Sequence, residues 1–275
     1  MRPLIGSLLL ALATVTPGLA QGVLVAPHAV VIDHRTRSTS ITLYNPTSTA
    51  AEITISTFFG YPVTDSAGDF ELTTSGPSSS RSAAEWVDAY PRRTVLGPLE
   101  RQTVRLLART PADLPDGEYW SRIMITAKGG KVGIGTADSL PTGIEVGLDL
   151  EVRTIIPLQY RKGPVTTGIA VATPRVTHVG DSLRIRARLV RDGNAAFVGT
   201  ARGVLYNEHD QAVATFAVPL AVYTELDPRF ALGVARLPAG RYRFKLSLAP
   251  ERADLPPEQI LPAKPQDAQV DVTLP

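Results

Sequence analysis

Apolar residues occupy almost every second position between Ile144 and Tyr160, with Thr154 the exception. Ile144, Val146, Leu148, Leu150, Val152, Ile156, Leu158 and Tyr160 alternate with a second set that begins Glu145, Gly147, Asp149, Glu151 and Arg153. Side chains on a strand point to alternate faces, so this spacing predicts one long β-strand with an apolar face and a charged face. Common strands have about five or six residues, and this pattern is longer than one domain's core requires. A long edge strand that closes a sandwich accounts for it. So does a strand whose surplus length serves a use beyond its own domain.

Shorter β-patterned runs precede it at 23–25, 29–32, 40–44, 51–59, 86–89, 102–108 and 119–126. Between Thr64 and Ala84 the composition turns to Ser and Gly, which predicts a mobile loop. A second Gly-rich connection, 128–143, leads into the long strand; its Gly133-x-Gly135 has no helix after it and is not a phosphate loop. Beyond Lys162-Gly163-Pro164 the runs resume at 169–171, 183–190, 195–198, 204–206, 212–218, 230–235, 242–248 and 270–274. Leu183, Ile185, Ala187 and Leu189 alternate with Arg184, Arg186 and Arg188, a strand with one buried and one solvated face. The 250–267 stretch is proline-rich and predicts an irregular crossing. Strands divided by turn residues, with weak helix punctuation, make the chain all-β. Its length fits two domains, 21–162 and 163–275.

Residues 1–20 combine Arg2, the apolar run from Leu4 to Val15 and the small-residue ending Pro17-Gly18-Leu19-Ala20. This is the pattern of a cleaved secretory signal peptide, and no later stretch has the length of a membrane helix. The expectation is an exported protein without membrane insertion. There is no cysteine, which excludes disulfides and a lipid anchor on a cysteine. Without Arg2 the chain carries 27 basic against 26 acidic residues, a balance that suggests no nucleic-acid partner.

Leu114-Pro115-Asp116-Gly117-Glu118-Tyr119 recurs as Leu237-Pro238-Ala239-Gly240-Arg241-Tyr242. Each is a turn that feeds a tyrosine into an alternating strand, where immunoglobulin-like sandwiches place a corner tyrosine. Two sandwiches of similar plan follow. The chain also carries, in order, Leu43-Tyr44-Asn45-Pro46, Tyr90-Pro91, Leu96-Gly97-Pro98, Gln102-Thr103-Val104-Arg105-Leu106, Leu114-Pro115, Glu118, Leu158-Gln159-Tyr160-Arg161 and Asn194-Ala195-Ala196-Phe197. With these residues it resembles the periplasmic chaperones of chaperone–usher pilus and fimbrial assembly, which have two immunoglobulin-like β-sandwich domains in tandem.

The resemblance implies a chaperone that lends its long strand to an exported pilus or fimbrial subunit before assembly at an outer-membrane usher. It implies Leu148, Leu150 and Val152 as donor residues, with Ile144 and Val146 as an extension. Glu118 and Arg161 match an interdomain charge pair of structural role. The family anchors the subunit's terminal carboxylate on two basic residues in the cleft. One of these positions falls on Pro157, which has neither charge nor backbone donor; the other falls near Ala29, beside His28. Arg153, Arg161 and Lys162 are the substitutes at hand. A homodimer could cap the free edge.

No enzyme, metal or cofactor is expected. His28, His34, His178 and His209 have no ligand spacing, no Gly-x-Ser-x-Gly exists, and Asp113, Asp116 and Glu118 bracket a turn. The competing reading is an exported structural or adhesive two-sandwich protein that binds through its loops. The two readings differ over whether the long strand keeps an unpaired side.

Overall fold

A computed structural model of the chain describes residues 22–76, 79–133 and 147–275. The expected leader, 1–20, lies outside them. The first sandwich pairs a four-stranded sheet, in the order Leu24–Ala26, Ser38–Tyr44, Arg101–Ala108, Val87–Tyr90, with a five-stranded sheet. The latter runs Val30–Asp33, Gly147–Lys162, Gly117–Gly133, Ala51–Phe58, Arg93–Leu96. Alternation places Ile41, Leu43, Val104 and Leu106 of one sheet against Ile53, Ile55, Ile123, Ile125, Leu158 and Tyr160 of the other, all buried in one core.

A second core gathers Ile169 to Leu274. Around it lie a four-stranded sheet, Ala212–Val222, Phe197–Tyr206, Gly240–Ala249, Gln266–Leu274, and two three-stranded ones. Leu183, Ile185, Ala187 and Leu189 are buried, while Arg186 and Arg188 pair with Asp227 and Glu225. Of the arginine stripe, Arg184 and Arg188 are exposed, and Arg186 is partly buried and also donates to the Ser66 carbonyl at 2.8 Å. The chain crosses between the cores at Gly163, whose φ of 64° suits glycine.

Two motifs find their reasons here. Asn45 is buried, and its amide donates to the carbonyls of Leu96 and Gly97 at 3.1 and 3.0 Å, tying the Asn-Pro turn to the Leu-Gly-Pro turn. Tyr119 donates its hydroxyl to the Pro115 carbonyl at 2.8 Å, and Tyr242 does the same to Pro238 at 2.7 Å. Both repeats of the Leu-Pro turn are closed by the same bond.

The segment 64–84 is not the plain loop its composition predicts. Tyr61–Thr64 and Phe70–Thr73 form a hairpin, and Ser79–Arg81 a short 3₁₀ turn. The hairpin tip straps the second sandwich: Asp227 N donates to Thr64 Oγ1 at 2.8 Å, Arg229 N to the Gly68 carbonyl at 2.8 Å, and Arg229 Nη2 to Asp69 at 2.7 Å. Gly68 has φ 87°, and a Cβ there would stand 2.9 Å from Arg229 N, so the close approach requires glycine. The sequence also conceals Arg93–Leu96, Arg175–Val179 and Glu225–Leu226, and it splits Phe197–Tyr206 into two runs.

Tyr119→Phe and Tyr242→Phe each remove one corner bond and leave its carbonyl acceptor without that donor. Each is expected to cost about 0.5–1.5 kcal/mol in urea unfolding. A variant as stable as the parent contradicts the role given to that tyrosine.

Candidate interaction edge

The long strand is described from Gly147 to Lys162, two residues longer at its end than the pattern predicted. Ile144 and Val146 lie outside the described residues. On one side it pairs antiparallel with Gly117–Gly133 from Lys162 to Gly147, with a register shift between Lys128 and Lys131. On the other side only Leu158–Arg161 has a neighbour, the parallel strand Val30–Asp33. From Gly147 to Pro157 no strand among the described residues pairs with the second side. Along that stretch the second row of backbone donors and acceptors has no strand partner among the described residues, the condition for adding another strand.

The even-numbered face changes character along the strand. Ile156, Leu158 and Tyr160 are core residues of the first sandwich. Leu150 and Val152 are half-buried, and Leu148 stands in register with Val132. Part of the Val152 surface is covered by its own domain: a Cβ on Gly22 would lie 3.2 Å from Val152 Cγ1. Leu150 and Val152 therefore occupy the less covered end of a face that is core at its other end. Opposite them, Glu151 accepts from Arg153 at 2.6 Å and faces Lys128 at 3.2 Å. The Arg153 hydrogen bond, then that of Lys128, holds the Glu151 carboxyl below the usual carboxylate range.

Glu118 and Arg161 meet in the cleft between the sandwiches. Their Nε–Oε2 distance is 2.9 Å, with Glu118 0% and Arg161 9% exposed. The other Glu118 oxygen accepts from Trp120 Nε1 and from Ala196 N of the second sandwich, both at 3.0 Å. Arg161 Nη2 donates to the Gln259 carbonyl at 2.9 Å. One carboxylate and one guanidinium thus bridge the two cores. Beside them Trp120, Tyr61, Tyr223 and Ala196 form a separate interdomain cluster.

The candidate anchors do not converge. Arg161 is engaged by Glu118 and Gln259, Lys162 donates to the Leu114 carbonyl, and Arg153 is exposed beside Glu151. Ala29 is buried and His28 exposed just ahead of Val30–Asp33. The cation beside Pro157 is instead Arg122, its register partner on the neighbouring strand. Arg122 is 8% exposed, donates Nε to the Gly60 carbonyl at 2.9 Å and lies 5.2 Å from the Tyr223 ring centroid. No carboxylate pairs with it among the described residues. Burial pushes the Tyr223 hydroxyl above the ordinary tyrosine range, against the pull of this charge. The available sequence signal was a single cation within Tyr119-Trp120-Ser121-Arg122-Ile123-Met124-Ile125, a run buried on both faces. Among the described residues no group of three or more His, Asp or Glu side chains could hold a metal ion.

Replacing Arg161 by Met strands the buried Glu118 carboxylate. The expected cost is about 3–5 kcal/mol in denaturant unfolding, with a changed interdomain orientation in solution scattering. A loss below about 1 kcal/mol, as for an exposed pair, contradicts the bridge. Arg153→Gln removes the largest cause of the Glu151 shift, so the carboxyl titration followed by NMR is expected to move up toward the ordinary range. An unmoved midpoint contradicts that assignment.

No family model and no curated protein matches the chain. Solved structures similar to it include the YadV chaperone, 12% identical, covering 92% of this chain and 99% of that one, with a TM-score of 0.46. The SafA pilin–SafB chaperone complex of Salmonella enterica is 14% identical, with 82% and 89% covered and a TM-score of 0.42. The CsuC–CsuE chaperone–tip adhesion subunit pre-assembly complex from the archaic chaperone–usher Csu pili of Acinetobacter baumannii is 14% identical, with 82% and 93% covered and a TM-score of 0.43. Many of the structural neighbours are chaperone–usher pilus assembly chaperones, at low sequence identity throughout.

Proposed function

We propose that the chain is a periplasmic chaperone of pilus or fimbrial subunits, exported behind residues 1–20, that binds a subunit through the free side of its long strand and delivers it to an outer-membrane usher. The observation that carries this is the one-sided pairing of Gly147–Pro157 beside apolar side chains that are only partly covered. An incoming strand completes the ladder there, and Leu148, Leu150 and Val152, extended by Val146 and Ile144, enter the subunit's open groove. The subunit's terminal carboxylate is held by Arg122, in place of the basic residue that the resemblance expects at Pro157. Burial of a cation without a carboxylate partner is costly, and an incoming anion relieves it. The role is binding, not catalysis. The reading as an adhesive protein places binding at loops and gives no task to an unpaired stretch of this length.

The double variant Leu150→Asp, Val152→Asp tests it. Each apolar side chain moved from water into a groove contributes roughly 1.5–3 kcal/mol, so copurification of exported subunits is expected to vanish. The variant itself is expected to keep a cooperative melting transition, lowered by its half-buried positions. A variant that no longer folds assigns these side chains to the chain's own core; one that still captures subunits removes them from the binding surface.

A further inference from the structure

Three large apolar side chains stand half in water at one place in the cleft. Phe70 is 47% exposed, Leu72 42% and Ile155 45%. With Pro62, Pro157 and Tyr223 they line a hollow of about 280 Å³ where the 61–73 hairpin, the long strand and the second sandwich meet. Arg122 and Glu71 contribute its polar lining. Each Å² of apolar surface left in water forgoes about 25 cal/mol, and contiguous exposed apolar surface marks an interaction site. Register ties this hollow to the free edge. Ile155 and Pro157 belong to the unpaired stretch, and Pro157 stands opposite Arg122.

We infer that the hollow receives one large apolar side chain of the polypeptide strand that pairs with the free edge, at the level of Ile155 and Pro157. The inference rests on the proposed pairing and adds a specificity subsite to it. A strand laid along Gly147–Pro157 sends every second side chain to the face that carries Ile155, and the one beside Ile155 reaches over the hollow. The opposite set of its side chains faces the side of Leu150 and Val152. The occupant is thus an extended segment with a Leu- or Phe-sized residue at one position. A basic residue is disfavoured there because Arg122 is already buried beneath. The subsite reads a side chain of the partner; the donor residues, by contrast, insert into the partner.

Fluorescent 11-residue peptides of alternating Val and Thr, with one position set in turn to Ala, Leu, Phe or Lys and that position moved along the peptide, test this by anisotropy titration of the full chain. Leu and Phe at one position are expected to bind about tenfold tighter than Ala, the size expected for burying such a side chain, and Lys no tighter than Ala. The gain is expected to vanish in Phe70→Ser and Leu72→Ser, which leave binding of the Ala peptide unchanged. A gain that survives both substitutions, or no favoured position while the Ala peptide still binds and loses affinity for Leu150→Asp, Val152→Asp, overturns the subsite and leaves the pairing standing. An Ala peptide that does not bind, or binds that double variant as tightly as the parent, overturns both. Sedimentation of the peptide-free protein as a dimer that Leu72→Ser dissociates assigns the hollow to a second copy and overturns the inference.

Discussion

A β-strand has two rows of backbone donors and acceptors, and among the described residues Gly147–Lys162 has both rows paired only at Leu158–Arg161. The constraint shapes its surroundings. Where both rows are satisfied, the even face is closed into the core at Leu158 and Tyr160. Farther back along the stretch with one free row, beyond Ile156, the even face is only half covered at Leu150 and Val152. Backbone pairing and side-chain burial fade together along one strand. A protein that had only to close its own sandwich would gain by ending the strand earlier or blunting the edge with a bulge or proline. Pro157 stands at the junction of the two regimes, where a missing N–H costs the fold little.

The free edge lies beside a cleft whose walls are held by two independent contacts. One is the buried Glu118–Arg161 pair, which reaches Ala196 and Gln259. The other is the hairpin strap from Thr64, Gly68 and Asp69 to Asp227 and Arg229. A buried ion pair is weak support for stability in itself, because desolvation offsets much of the attraction. Its geometry does specify an orientation, since Glu118 must meet three donors from three directions. The strap adds the hairpin whose outer side chains, Phe70 and Leu72, roof the cleft. Orientation and cleft lining thus come from neighbouring parts of the same elements.

Much of this was legible in the chain. The period of two at Ile144–Tyr160 announces a strand, and the Leu-Pro-x-Gly-x-Tyr repeat announces two corners, because both depend on local spacing. The hairpin at 61–73 was masked by Pro62, Asp65 and Gly68, turn formers that suit a tip docked on another domain as well as a loose loop. Arg122 was overlooked for a different reason. Alternation identifies a face only where the other face is polar, and Trp120 and Arg122 lie against the hairpin, the second sandwich and the cleft. The second-sandwich partners of the Glu118–Arg161 pair follow a similar rule. Ala196 and Gln259 contribute only backbone atoms, which leave no signature in residue type.

The unpaired row of the long strand is the centre of the account, and amide hydrogen exchange reads it residue by residue. In the free monomer, alternate amides between Gly147 and Ile156 are expected to exchange rapidly while their neighbours, bonded to Gly117–Gly133, are protected. In a complex copurified with an exported subunit, the fast set is expected to become protected as well. Slow exchange of the whole set in the free monomer, or a complex that leaves the fast amides fast, would contradict the claim that this edge is where a partner strand pairs.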